Sequence, residues 1–270
     1  MTKRAIKIVI LFVLLITILL GGWHMYKRLE GNKRSFDTNI YEYVSPEALE
    51  VININRAFNL EKFYAYDCSF SPLTDALGQN VSYPLVLSKY NDGYRLLVTK
   101  VTYEQEQKIR SHIENNIALP FPPRIIKYED CNIYIYTVAN DKFLVCTYYK
   151  GLFAISDHYK IVENIIDTNP EDSFFAKEED KEFIEKVRDS SPVSIYLKLY
   201  KEILALDYSI HNDTIKTEGY LLNRNNKDTI KDLKTIPYMI HSSDSICVES
   251  YEISTETKPA TVKILLNKIY

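Results

Sequence analysis

From Ile8 to Trp23 the chain is apolar at every position except Thr17. Counted from Ala5, with Lys7 snorkelling, the run is 19 residues long. At about 1.5 Å per residue that makes about 29 Å of helix, close to the thickness of a bilayer core. Trp23 and Tyr26 follow at its far end, where amphipathic rings favour the membrane interface. Thr17 can return its hydroxyl to the preceding turn and so costs little in lipid. The pattern predicts a transmembrane helix in residues 1–28, with the lipid bilayer as the partner of residues 5–23. A cleaved signal sequence is the rival reading. It lacks support at Gly21-Gly22-Trp23-His24-Met25, which offers no pair of small residues suited to cleavage.

Residues 29–40 show no apolar period and read as a tether. Beyond them, in residues 41–270, short strands alternate with short helices. A strand begins after Ser45-Pro46, through Leu49 and Val51, and Phe58–Phe63 suggests a short helix. Pro72 fits the first turn of another helix that stops at Gly78. Residues 85–90 and 94–98 flank Asn91-Asp92-Gly93, a hairpin signal in which glycine supplies the positive φ of a tight turn. Thr102 and Gln105 have the spacing of a capping box, opening a helix with Ile109, Ile113 and Ile117 inward and Pro120 at its end.

Residues 125–156 are the most strand-like stretch, with runs at Ile133–Val138, Phe143–Tyr149 and Leu152–Ile155. Asp157 is placed to cap the next helix, which carries Ile161, Val162 and Ile165. A charged helix is expected over Lys177–Arg188. Ser191-Pro192 then opens Val193–Leu199 much as Ser45-Pro46 opens the first strand, and Ile203–Leu206 reads as a helical piece like Phe58–Phe63. A second hairpin turns at Asn212-Asp213. Strands gathered in antiparallel hairpins with helices between them give an α+β class: an N-terminal transmembrane helix, then a mainly antiparallel sheet with interspersed short helices. The body divides, if anywhere, near residues 170–190.

Charge sharpens this division. Lys+Arg total 33 and Asp+Glu 36, a net of −3. Residues 1–34 hold seven bases and one acid, which leaves 26 bases against 35 acids, or −9, for residues 35–270. An acidic body argues against a nucleic-acid partner. Bases flank the apolar run on both sides, so charge alone orients it weakly. A short N-terminal tail is normally retained inside, which puts the body outside the cytoplasm. Apolar residues at 46% and aromatics at 13% exclude a disordered chain.

Catalytic patterns are missing: there is no phosphate-binding glycine loop, no nucleophile elbow and no zinc-like spacing. Ser156-Asp157-His158 holds the residue types of a triad, but neighbouring side chains diverge and cannot form the relay. His241 with Asp244 is a polar loop rather than a metal site, and no cofactor is expected. Cys68, Cys131, Cys146 and Cys247 make no disulfide framework. A turn at Asn140-Asp141 would set Cys146 opposite Ile135, leaving Cys131 out of register for a bridge. Twenty-two tyrosines, many in strands, serve mainly as sheet formers. If one face binds a partner, the Tyr134/Tyr136 side of the hairpin is the candidate.

The basic anchor, the tether, the strand Glu50–Asn55 after Ser-Pro, and the run Asn132–Ser156 leading into a helix resemble a family of uncharacterised, membrane-anchored bacterial envelope proteins, a domain of unknown function. The resemblance covers about residues 40–200 and implies neither an activity nor catalytic residues. The expected function is therefore a non-catalytic, single-pass envelope protein of the bacterial inner membrane, whose body engages an envelope protein partner. A ligand-binding or sensory body is the alternative, and a hydrolase of dispersed Asp, Glu and His residues is the remaining class.

Overall fold

The computed structural model describes residues 3–55, 70–176, 192–199, 202–211, 214–223, 246–254 and 260–268. The expected helices at Phe58–Phe63 and Lys177–Arg188, the turn at Asn212-Asp213 and the loop at His241–Ser245 lie outside them.

Helix α1 runs unbroken from Lys3 to Asp37. It is long and apolar enough to cross a membrane, as an anchor or a signal sequence would be. Thr17 Oγ1 donates to the Val13 carbonyl at 2.9 Å, so its hydroxyl is satisfied within the helix. The helix does not stop where the apolar run does: residues 29–37, expected to be part of a tether, are helical and lie against the body. Their partner is a polar edge of the body, not a core, so no apolar stripe was needed there.

The body is an antiparallel sheet with short helices, an α+β arrangement. Its described strands are β1 (Glu50–Ile54), β2 (Leu85–Lys89), β3 (Arg95–Lys100), β4 (Arg124–Tyr128), β5 (Cys131–Val138), β6 (Lys142–Tyr149), β7 (Leu152–Ser156), β8 (Val193–Leu199), β9 (Glu202–His211), β10 (Thr214–Asn223), β11 (Ile246–Ser254) and β12 (Ala260–Lys268). They lie in the order β11-β12-β10-β9-β8-β1-β2-β3-β7-β6-β5-β4. From β3 the chain therefore crosses to the far edge and meanders back through β4, β5 and β6 to β7. It then returns to place β8 on the other side of β1.

The strands after the two Ser-Pro pairs end up as neighbours, with Ile52 opposite Ile195 in antiparallel register. Ile203–Leu206 is strand within β9, not helix; each of these residues pairs with β8. A four-residue apolar run cannot distinguish the two by period, and here the available sheet edge decides.

The helices are α2 (Ser71–Asp75), α3 (Tyr103–His112) and α4 (Tyr159–Asp167). Apolar residues at alternate strand positions feed two separate cores. On one face Ile52, Leu87, Leu97, Phe153, Ile155 and Ile195 meet Leu73 of α2 and Ile109 of α3. On the other, Val51, Val86, Val98, Ala154 and Tyr196 meet Ile40, Val162, Ile165 and Phe175. Strands β1 and β7 are buried throughout because both of their faces are covered. A polar group survives at the second core: Asn53 Nδ2 donates to Tyr41 Oη at 2.7 Å, and Asn55 Nδ2 donates to Ser194 Oγ at 3.1 Å.

The capping box forms as the spacing requires, with Thr102 and Gln105 each bonding the other's backbone. Ile109 and Ile113 are fully buried, and a wider π turn at Ile113–Ile117 unwinds the helix towards Pro120. The hairpin at Asn91–Gly93 closes through Tyr90 N to Tyr94 O at 2.9 Å, with Gly93 at φ +77. Two local readings are corrected. The turn between β5 and β6 takes three residues, with Val138 opposite Lys142, so Cys146 faces Tyr134 and not Ile135. Asp157 does not cap α4, whose N-cap is His158 without a side-chain bond; its carboxylate is drawn instead to Arg95 at 2.5 Å.

Candidate functional site

Above the apolar run, α1 lies against the body, and four points hold it. Arg28 Nη2 pairs with Glu104 Oε1 at 2.6 Å, and Asn32 Oδ1 accepts from the Tyr103 amide at 3.3 Å. Lys100 Nζ donates to the Phe36 carbonyl at 3.4 Å, and Thr38 Oγ1 donates to the Lys150 carbonyl at 2.6 Å. The ion pair is half exposed and worth at most about 1 kcal/mol. Close packing contributes more. A Cβ at Gly31 would stand 3.1 Å from Tyr103 Cβ, and one at Gly151 only 2.4 Å from the Ser35 amide nitrogen. Ser35 is buried by this approach.

Where the helix ends, a cleft of about 520 Å³ opens between it and the β4–β5 and β6–β7 turns. Arg34, Asp37, Thr38, Tyr43, Cys131 and Lys150 are among its walls. Lys150 stands at φ +49, which aims its ammonium between two rings, 5.3 Å from Tyr43 and 4.9 Å from Tyr149. Its hydrogen bond to Tyr149 raises its pKa, with desolvation opposing. Arg34 is partly engaged by Glu30 one turn below it. With Asp37 and Asp130 also on the wall, the cleft has mixed charge and selects neither anion nor cation by charge alone.

Cys131 and Cys146 lie on opposite faces of the sheet. Cys146 is fully buried in the first core, whereas Cys131 packs against the second, and both are free thiols. Burial pushes the Cys146 thiol up to about 12; burial and then Asp130 and Glu129 raise Cys131. Neither is a poised nucleophile. Alkylation at pH 8 followed by mass spectrometry is expected to modify Cys146 at least about tenfold more slowly than Cys131. Equal rates would mean that the β5–β6 hairpin opens readily.

Trp23 and Tyr26 sit together at the end of the apolar run, their ring centroids 6.4 Å apart, with Lys27 Nζ 5.4 Å from the Trp23 ring. Tyr134 and Tyr136 share one face of β5, and that face is covered by α3. Tyr136 is 1% exposed and its hydroxyl donates to Glu114 at 3.3 Å. Tyr134 is half-buried; the Arg110 guanidinium lies 4.8 Å from its ring and 5.3 Å from that of Tyr148. Arg110 thus clips α3 to the sheet. Glu106 shares this clip at 3.2 Å from Arg110.

Desolvation raises the Glu106 carboxyl, while Arg110 pulls it down. Because the folded pKa lies above the unfolded one, the contribution of Glu106 to stability is full below the unfolded value. It is lost as pH rises through the folded value. Glu106→Gln is therefore expected to be no less stable than the parent at neutral pH. Its melting profile as pH rises above the usual carboxylate range should be flatter. A variant clearly less stable at pH 7 would show instead that the Arg110 ion pair dominates.

Ser156, Asp157 and His158 are engaged separately. Ser156 Oγ donates to the Arg95 carbonyl at 2.6 Å and accepts from the His158 amide at 3.1 Å. The His158 ring lies between those of Tyr94 and Tyr159, at 4.5 and 5.2 Å. No serine–histidine relay exists there. His112 bonds the Asp75 carbonyl at 3.1 Å and caps the end of α2. Among the described residues, no three His, Cys, Asp or Glu side chains come together as a metal set. Thr38, Arg110, Lys150 and Gly151 were not singled out by the sequence as site residues.

No family model matches the chain, and no curated protein does. Among solved structures, it is similar to crystal form I of TP0453, with a TM-score of 0.40 and 8% identity over 86% of this chain and 92% of that one. A likeness so distant carries no function across.

Proposed function

We propose that this chain is a non-catalytic, single-pass membrane protein of the bacterial envelope. Its helix stays in the inner membrane and holds an acidic body outside the cytoplasm for interaction with another envelope protein. The observation that carries this reading is the continuity of α1. One helix serves as the apolar run and, without a break, as the strut clamped at Arg28, Asn32, Phe36 and Thr38. A signal sequence destined for removal has no need of such seating, whereas an anchor that fixes the height and facing of its body does. The envelope placement also rests on the resemblance to uncharacterised membrane-anchored envelope proteins.

The test is a Lys142→Cys variant in intact cells, at an exposed strand end. A membrane-impermeant maleimide is expected to label it before lysis, and labelling only after lysis would overturn the placement. A second reading, a ligand-binding or sensory body, is favoured by the cleft at the end of α1. Were that correct, some small molecule should raise the melting temperature of the parent but not of a Tyr43→Ala variant. A screen that finds none counts against it.

A further inference from the structure

The surface of α1 that the body leaves uncovered carries an apolar stripe. Besides the Phe36 carbonyl, the contacts with the body come from His24, Arg28, Gly31, Asn32 and Ser35, spaced as one helical stripe. About a third of a turn away runs a second stripe, Met25, Leu29 and Phe36, at i, i+4 and i+11. These side chains are 64%, 63% and 84% exposed, and Phe36 is the most exposed large apolar side chain among the described residues. Within the span, Leu11, Leu15, Ile18 and Gly22 continue the same alternation of three and four residues. There every face is apolar and the pattern carries little information. Above the interface it does, because water penalises an uncovered Leu29 and Phe36.

We propose that this stripe seats the same stripe of a second copy of this chain, forming a parallel helix pair. The inference rests on the reading of α1 as a retained anchor. Anchoring sets two chains parallel and at equal height, so Leu29 and Phe36 of one copy meet their equivalents, as a two-fold contact requires. The area fits this occupant. A 35-residue helix is about 52 Å long, and a contact strip about 10 Å wide gives roughly 500 Å² per helix. The pair then buries about 1,000 Å², the least that a specific interface requires. The part above the membrane alone would give less than half of that, so the membrane-embedded turns must contribute. Gly21 and Gly22 have no side chain and nothing of the protomer against them, which leaves room for close approach there. Arg28, which flanks the stripe, brings no unbalanced charge to the pair because Glu104 already neutralises it.

The full chain, reconstituted in vesicles at low protein-to-lipid ratio, tests this with a photoreactive benzoylphenylalanine at Phe36, Leu29 or Lys27. Homodimer adducts are expected from the first two positions and not from Lys27, which points away from the stripe. A Leu29→Asn and Phe36→Asn double variant carrying the reporter at Met25 should lower the adduct yield at least about tenfold. Its body should melt as the parent does, since both side chains are exposed. Equal yields at Lys27 and Phe36, or monomer throughout, overturn the proposal. So does an adduct in cells with a different protein at Phe36 in place of the homodimer. A chain that stays in alkali-washed membranes yet gives no adduct refutes the pairing and leaves the anchored reading intact; a chain missing from the membranes refutes both.

Discussion

A Leu14→Asp and Ile16→Lys double variant is expected to leave the membrane fraction almost completely. Between Ile8 and Leu20 there are twelve Ile, Val, Leu or Phe residues. Each contributes about 0.3 to 0.6 kcal/mol to insertion near the helix centre, roughly 4 to 7 kcal/mol together. Two charges at the middle of the span cost about 2.5 to 3.5 kcal/mol each and cancel that sum. Opposite charges two residues apart lie on different sides of a helix and cannot neutralise one another. Alkaline carbonate washing followed by immunoblotting of pellet and supernatant is the measurement, with the single Leu14→Asp variant expected to divide between them. A parent chain found in the supernatant and shortened at its N-terminus would sink the anchor. A double variant that stays fully in the pellet as folded protein would show that something other than the span holds it.

The physical scale of each signal explains which parts of the fold could be read from the residues. Features fixed by two or three neighbouring side chains were legible: the Thr102–Gln105 capping box and the Asn91–Gly93 hairpin. The apolar run was legible because a helix fit to cross a bilayer is apolar on every side, a pattern that needs no partner to be seen. Register depended on the number of residues in one turn, and Ala139–Asp141 shifted it by one, moving Cys146 from Ile135 to Tyr134. Ile203–Leu206 was too short for its period to choose between helix and strand, and β8 chose for it. The side-by-side pairing of β1 with β8 joins residues more than 130 positions apart, and no local pattern encodes that. The candidate cleft was hidden for the same reason. Its walls come from three separate segments, around residues 34–43, 130–131 and 148–150, none of which carries a motif. Nor could the helical strut be seen, since residues 29–37 are held by backbone carbonyls and a glycine contact, which leave no periodic trace.

That glycine contact supplies the sharpest test of the strut, because the fold contains its own control. Gly151 and Gly93 have nearly the same φ, +79 and +77. Either replaced by alanine pays the left-handed penalty of about 1 to 2 kcal/mol. Only the surroundings differ. Around Gly93 an added Cβ meets nothing within 4 Å, while at Gly151 it would stand 2.4 Å from Ser35 N, 2.6 Å from Ser35 Cα and 2.8 Å from the Arg34 carbonyl carbon. These are backbone atoms, which cannot rotate aside as a side chain would, so the helix must move off the turn. Lifting it breaks the Thr38 bond to Lys150 and exposes Ser35, a further loss of about 1 to 3 kcal/mol. Gly151→Ala is thus expected to destabilise the protein by roughly 2 to 5 kcal/mol and Gly93→Ala by no more than about 2. Limited proteolysis should find new cleavage near Asp37 in the first variant alone. If the two variants melt together and are cut alike, α1 does not rest on the β6–β7 turn, and the body would be joined to the helix by a hinge instead of standing on a strut.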